Sequence, residues 1–160
     1  MKSRILIGAI AGLTAMTALA RVAAGQAAPP PASAPAGGAS GRSVWDGVYS
    51  GDQAKRGGKV YTTECVRCHG EQLEGGGEVK PLSGAGFLAN WNGVSLGEML
   101  DRTRTSMPDD NPGTLSRQQV VDVLAYLLSA NKFPAGDAEL PREAEALNQI
   151  RFLATKPGGQ

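Results

Sequence analysis

Two cysteines and a histidine within five residues constrain this chain more than any other feature. Cys65 and Cys68 are the only cysteines, and His69, directly after them, is the only histidine. A disulfide across so short a span would close almost no loop and would stabilise little. The C-x-x-C-H spacing is instead the attachment signature of a c-type haem, in which the porphyrin binds both thiols and the iron binds the imidazole. The motif predicts one covalent haem c, with His69 as an iron ligand.

Two alternative interpretations of the cysteine pair need features that the sequence lacks. A thioredoxin-like redox pair would follow a strand in a βαβ unit, and no such pattern precedes Cys65. A zinc site would need a fourth ligand and would have to recruit a carboxylate. The motif therefore favours haem, and the single histidine excludes a second haem and bis-histidine ligation.

Composition agrees with a small domain built around a cofactor. A length of 160 residues favours one domain, and the aromatic content of 5% is low. A buried porphyrin would supply the apolar area that side chains lack. The formal net charge of +1, without a basic stripe, gives no reason to expect nucleic-acid binding.

The first 24 residues resemble an export signal. Lys2 and Arg4 precede an uncharged run over residues 5–20, and small-residue cleavage sites follow between residues 20 and 27. The run is poor for a membrane span, which needs about 20 apolar residues. We predict cleavage and a periplasmic protein; the alternative is an uncleaved anchor that tethers the protein to the membrane. Residues 25–43 are rich in Ala, Pro, Gly and Ser, which predicts a disordered linker.

Three Ser-x-x-Gln/Glu patterns mark helix starts, because the two side chains can satisfy free backbone N–H groups reciprocally. These capping boxes lie at Ser50 and Gln53, Ser95 and Glu98, and Ser116 and Gln119. They predict helices over residues 51–64, 96–105 and 117–130, the last ended by a left-handed Asn131. Glycines at 75–77 and 84–86 predict a loop between the first two helices. An apolar period after Pro141 predicts a short fourth helix that packs on the domain or on a partner.

The second axial position must be open or filled by a residue other than histidine. Met99 and Met107 are the methionines that remain after signal removal. Met99 falls inside a predicted helix at a spacing suited to core packing. Met107 precedes Pro108 in a loop, where extended backbone lets a side chain cross a cavity. We predict Met107 as the second iron ligand, since a Met/His pair is an electron-transfer arrangement.

Residues 50–131 resemble the class I cytochromes c. In that family a glycine, an aromatic residue and the first haem cysteine follow one another at four-residue intervals, as Gly57, Tyr61 and Cys65 do here. The glycine lets the first and last helices of the domain cross closely. The resemblance implies an all-α, class I cytochrome c-like fold, with three to four helices wrapped around the haem. The domain would span residues 44–133, and residues 134–160 would form a C-terminal extension with a short helix.

Two further haem contacts are implied by the resemblance alone. Pro81 stands twelve residues after His69, where the family places a proline whose carbonyl holds the second imidazole nitrogen. Trp91 lies where some members place a tryptophan that bonds a haem propionate. The segment 87–100 and the tail after Phe133 are similar to cytochrome modules associated with quinoprotein dehydrogenases.

These features predict an electron carrier rather than an enzyme. The expected chemistry is outer-sphere one-electron transfer, with redox proteins as partners: a dehydrogenase, an oxidase or another cytochrome. A thioether ligand would raise the reduction potential relative to two nitrogen ligands. The alternatives are an open-site haem protein that binds a small gas or peroxide, and a subunit that docks on a dehydrogenase through the linker or the final helix.

Overall fold

Helices dominate the structure, a computed structural model that describes residues 41–158. In chain order they are α1 Gly51–Glu64, α2 Val66–His69, α3 Gly84–Trp91, α4 Leu96–Ser106, α5 Arg117–Ala130 and α6 Ala144–Asn148. Two short strands, β1 Arg42–Ser43 and β2 Ile150–Arg151, pair in parallel. The predicted signal peptide and the predicted linker up to residue 40 lie outside the described residues. The all-α architecture is confirmed, and none of the helices in residues 41–158 is long and apolar enough to cross a membrane.

The first and last helices of the predicted domain, α1 and α5, cross at Gly57. A Cβ atom at this position would lie 1.8 Å from the carbonyl oxygen of Asp122. Only a residue without a side chain lets the two backbones approach so closely. Beside the crossing, the ring centroids of Tyr61 and Tyr126 lie 5.1 Å apart. The close crossing implied by the resemblance is confirmed, and it fixes the end of α1, where Cys65 follows.

Two of the three predicted capping boxes form in full, and one forms by half. The complete boxes start α4 at Ser95 and Glu98, and α5 at Ser116 and Gln119. At α1 the Ser50 hydroxyl accepts from the Gln53 N–H, but the Gln53 side chain turns into the core. Its amide donates to the Leu140 carbonyl and accepts from the Leu140 N–H. The N–H and carbonyl of Leu140 are buried and cannot bond to water. The Gln53 side chain therefore pairs with them instead of completing the capping box.

A helix, α3, occupies residues 84–91, where the sequence predicted a loop. Gly84 and Gly86 lie in its first turn, so they weaken only the helix start. Phe87 is buried against Phe152, with ring centroids 5.9 Å apart. Packing of an apolar face contributes more to a short helix than propensity does. The loop prediction was wrong because it weighed local propensity without this tertiary contact.

The C-terminal extension packs on the domain, which is one of the two possibilities that the sequence left open. Leu147 of α6 is fully buried, and so is Phe152 just beyond β2. The Phe152 ring meets Phe133 edge-on, with centroids 5.1 Å apart. Pairing of β2 with β1 also includes Arg42 and Ser43, which the sequence analysis assigned to the linker. The extension thus completes the core.

Candidate haem site

The C-x-x-C-H motif forms a turn of helix directly after α1. Cys65 ends α1 with its N–H donating to the Tyr61 carbonyl at 2.9 Å, and it also precedes α2. The N–H groups of Cys68 and His69 both donate to the Cys65 carbonyl, at 3.1 and 2.9 Å. Residues three and four apart share one face of a helix. The short helix α2, which the sequence analysis did not predict, therefore brings both thiols and the imidazole to the same side.

The two cysteines are free thiols that differ in their exposure to solvent. Cys65 is half-buried and Cys68 is exposed. Burial raises the pKa of the Cys65 thiol to about 11, and the neighbouring charges of Glu64 and Cys68 raise it further. Redox-active pairs have lowered pKa values, since the thiolate is the reactive form. The environment of Cys65 is therefore unlike that of a thioredoxin-type pair.

His69 is held by a carbonyl through its Nδ1 atom. This nitrogen lies 3.1 Å from the backbone oxygen of Lys80. A carbonyl can only accept a hydrogen bond, so Nδ1 carries the proton and Nε2 keeps the lone pair that binds a metal. The resemblance implied the Pro81 carbonyl for this role. In the structure the carbonyl one residue earlier, that of Lys80, contacts Nδ1, and the role of Pro81 stays a prediction. Pro81 acts on the backbone of Lys80, because proline restricts the residue before it to extended conformations.

The backbone at and after His69 is tied to α1 and to the loop at Gly75. The Tyr61 hydroxyl donates to the Gly70 carbonyl at 2.6 Å. The Gly75 N–H donates to the His69 carbonyl at 2.9 Å. Burial raises the pKa of Tyr61 to about 12, so the hydroxyl remains a donor at neutral pH. These bonds restrain the backbone at His69 and Gly70.

Asn131 joins the Lys80–Leu82 segment to the last turn of α5. Its amide donates to the carbonyls of Leu82 and Leu127, at 3.0 and 2.9 Å, and its oxygen accepts from the Gly84 N–H. The predicted left-handed conformation of Asn131 was wrong: its φ is −84°, and Lys132, at φ 67°, is left-handed instead. The side chain of Asn131, rather than a left-handed backbone, links residues 82–84 to α5.

Met107 and Met99 take the two environments predicted for them. Met99 is buried within α4, with 2% of its surface exposed. Met107 follows α4 in extended conformation, with φ −126° and ψ 148°, and is partly buried. Its segment lies beside the motif, because Arg67 donates to the Asp110 carboxylate. The segment that carries His69 and the segment that carries Met107 are thus neighbours in space.

Trp91 ends α3 and is partly buried among aromatic and cationic groups. Its ring centroid lies 6.4 Å from that of Phe87, and the guanidinium carbon of Arg102 lies 5.7 Å from it. This is the geometry of a cation–π contact. Its predicted bond to a propionate stays a prediction.

Arg104 is a residue that the sequence analysis missed. Its Nε atom is buried and has no hydrogen-bond partner within residues 41–158. In the sequence, the signal for a role of Arg104 near Met107 was its spacing. Residues three apart lie on neighbouring parts of a helix surface.

The donor set of the site fits a haem c. Two free thiols and an imidazole with its Nε2 lone pair available share one helical face. A partly buried thioether lies on the adjacent segment, and Arg104 offers an unused donor. No three His, Cys, Asp or Glu side chains in the described part of the chain form a group that could hold a metal ion by themselves.

Comparison with known proteins agrees with this site. Residues 52–127 match the family described as cytochrome c oxidase, cbb3-type, subunit III. The matched stretch begins in α1, contains the C-x-x-C-H motif and Met107, and ends in α5. Neither a curated protein nor a solved structure matches the chain.

Proposed function

Because residues 52–127 form a c-type cytochrome domain that carries covalent haem c, we propose that this chain is a periplasmic one-electron carrier whose iron is ligated by His69 and Met107. The haem, when bound, supplies the reversible one-electron couple of its iron. The chain attaches the group, sets the ligands and limits access of water. The partly buried, extended Met107 beside the motif is the observation that carries the proposal.

On the proximal side, the residues around His69 keep the imidazole in one orientation. The Lys80 carbonyl accepts from Nδ1–H, which fixes the tautomer and increases the electron density on Nε2. Tyr61 restrains the next residue through the Gly70 carbonyl. An imidazole held in this way would move little during electron transfer, and a small rearrangement would favour rapid transfer.

On the distal side, we propose the Met107 thioether as the second ligand. A soft thioether favours the ferrous state and raises the reduction potential relative to a second nitrogen. Extended backbone at Met107 and the following proline keep the side chain off the helix surface. A filled second position would also prevent oxygen or peroxide from binding there.

The proposed path for electrons is the surface around Cys68, the exposed thiol of the motif. Arg67 and Asp110 flank this surface, with side-chain exposures of 70% and 57%. A partner that docks here meets both charges, which favours a surface with the complementary charge pattern. We propose a redox protein as this partner: a dehydrogenase, an oxidase or another cytochrome.

The test of ligation compares Met107→Ala with Met99→Leu in exported, haem-loaded protein. We expect the wild type to be low-spin, with the weak long-wavelength band of a thioether bound to ferric iron. Met107→Ala should lose this band, lower the potential and bind carbon monoxide when reduced. Met99→Leu conserves volume in the core and should keep all three properties. A wild type that lacks the band and binds carbon monoxide rapidly would refute Met107 ligation and favour the open-site alternative.

A further inference from the structure

The unpartnered Nε of Arg104 stands out among the guanidinium groups of the described residues. Five other arginines have partners there: Arg56 with Asp122 and Glu139, Arg67 with Asp110, Arg102 with Trp91, Arg117 with the Arg142 carbonyl, and Arg151 with the Gly93 carbonyl. The remaining two, Arg42 and Arg142, are exposed to water. Arg104 Nε is buried without an acceptor. Buried donors in folded proteins are almost always paired. An unpaired donor that belongs to a charged group, as Nε of a guanidinium does, is especially costly.

Arg104 lies next to the segment that carries Met107. It lies in the last turn of α4, three residues before Met107. The loop that carries Met107 folds back over this turn, so that a Cβ atom at Gly113 would lie 3.9 Å from the Arg104 carbonyl oxygen. The acidic residue of this loop that forms an ion pair, Asp110, is bound to Arg67 instead.

An anion would be the strongest acceptor for this donor, because guanidinium is permanently charged. Carboxylates match its planar donor arrangement, and such charge-assisted bonds are stronger than neutral ones. Haem carries two propionate carboxylates, which must find cations or water when the porphyrin is bound against the chain. From this juxtaposition, which rests on the proposed attachment and ligation, we infer that Arg104 donates from Nε to a haem propionate.

This contact would satisfy both groups at once. It would pair the buried Nε–H of Arg104 and neutralise a carboxylate close to the iron. A nearby negative charge stabilises ferric over ferrous iron, so a neutralised propionate keeps the potential higher. Arg104 would thereby act as a positioning residue for the porphyrin and as a determinant of potential, without touching the iron.

The test uses three variants of the haem-loaded protein: Arg104→Gln, Arg104→Lys and the charge control Arg117→Gln. Arg117 is partly buried at the start of α5, and its guanidinium donates to the Arg142 carbonyl. We expect Arg104→Gln to shift the propionate bending mode in the resonance Raman spectrum and to lower the midpoint potential. Arg104→Lys should restore part of the potential but not the mode, since lysine keeps the charge and loses the planar donor. Arg117→Gln should change neither.

The outcomes separate this inference from the proposed function. If the propionate mode in Arg104→Lys equals that of the wild type, Nε bonds a trapped water and the inference is overturned, even where Arg104→Gln fails to mature. The thioether band of wild-type protein reports on Met107 independently. Its presence together with an unchanged propionate mode would leave ligation intact and reject the role of Arg104.

Discussion

Replacing Gly57 by alanine should destabilise the domain by forcing α1 and α5 apart. The added Cβ would lie 1.8 Å from the Asp122 carbonyl oxygen. Since non-bonded atoms rest about 3.5 Å apart, the two helices would have to separate by roughly 1.7 Å. The clashing atom belongs to the backbone in the middle of α5, so it cannot rotate away as a side chain would.

The neighbouring glycine provides a matched control. Gly58 lies in the same helix, and a Cβ there would meet only the Tyr126 ring, at 3.3 Å. Both substitutions gain about 1 kcal/mol of helix propensity. Overpacking against a rigid neighbour costs about 3 kcal/mol. Gly57→Ala should therefore lose about 2 kcal/mol, whereas Gly58→Ala should lie between no change and a gain of about 1 kcal/mol.

Thermal unfolding of the two haem-loaded variants, followed by far-ultraviolet circular dichroism, measures the difference. A loss of about 2 kcal/mol corresponds to a fall in Tm of roughly 8–10 °C for a domain of this size. Gly58→Ala should unfold at or slightly above the wild-type temperature. Equal Tm values for the two alanine variants would refute the reasoning, because the close crossing would then not require a glycine.

Three other perturbations follow from particular contacts. Gln53→Ala leaves both polar backbone groups of Leu140 unpaired and should cost about 2–3 kcal/mol in urea unfolding; a cost below 1 kcal/mol would contradict the burial of that pair. Arg56→Lys cannot reproduce the two bonds to the nearly buried Asp122 carboxylate, at 3.1 Å each, and should cost about 1 kcal/mol; a neutral result would show that one point charge suffices. Burial raises the folded pKa of Tyr61 to about 12, above the value of about 10 in unfolded chains, so the unfolded state loses this proton first and stability should fall as pH rises from 10 to 12. Tyr61→Phe should lack that part of the decline in unfolding titrations at successive pH values, and an unchanged slope would exclude Tyr61 as its source.

Short-range patterns in the sequence determined the chemistry and most helices. Cys65, Cys68 and His69 lie within five residues, so their spacing alone defines one attachment site. Helices α1 and α5 begin and end where predicted, and α4 extends one residue further. Capping and apolar periodicity act over three or four residues, a range over which chain connectivity already fixes which groups meet.

The tertiary structure decided the contacts between distant segments. The imidazole of His69 meets Lys80 rather than Pro81, Gln53 pairs with Leu140 rather than completing its capping box, and α3 forms because Phe87 packs on Phe152. Each outcome depends on which buried polar group or apolar surface a second segment brings close. The choice between alternative partners depends on the free energy of the whole packed domain. A local sequence pattern does not specify which residues lie across the core.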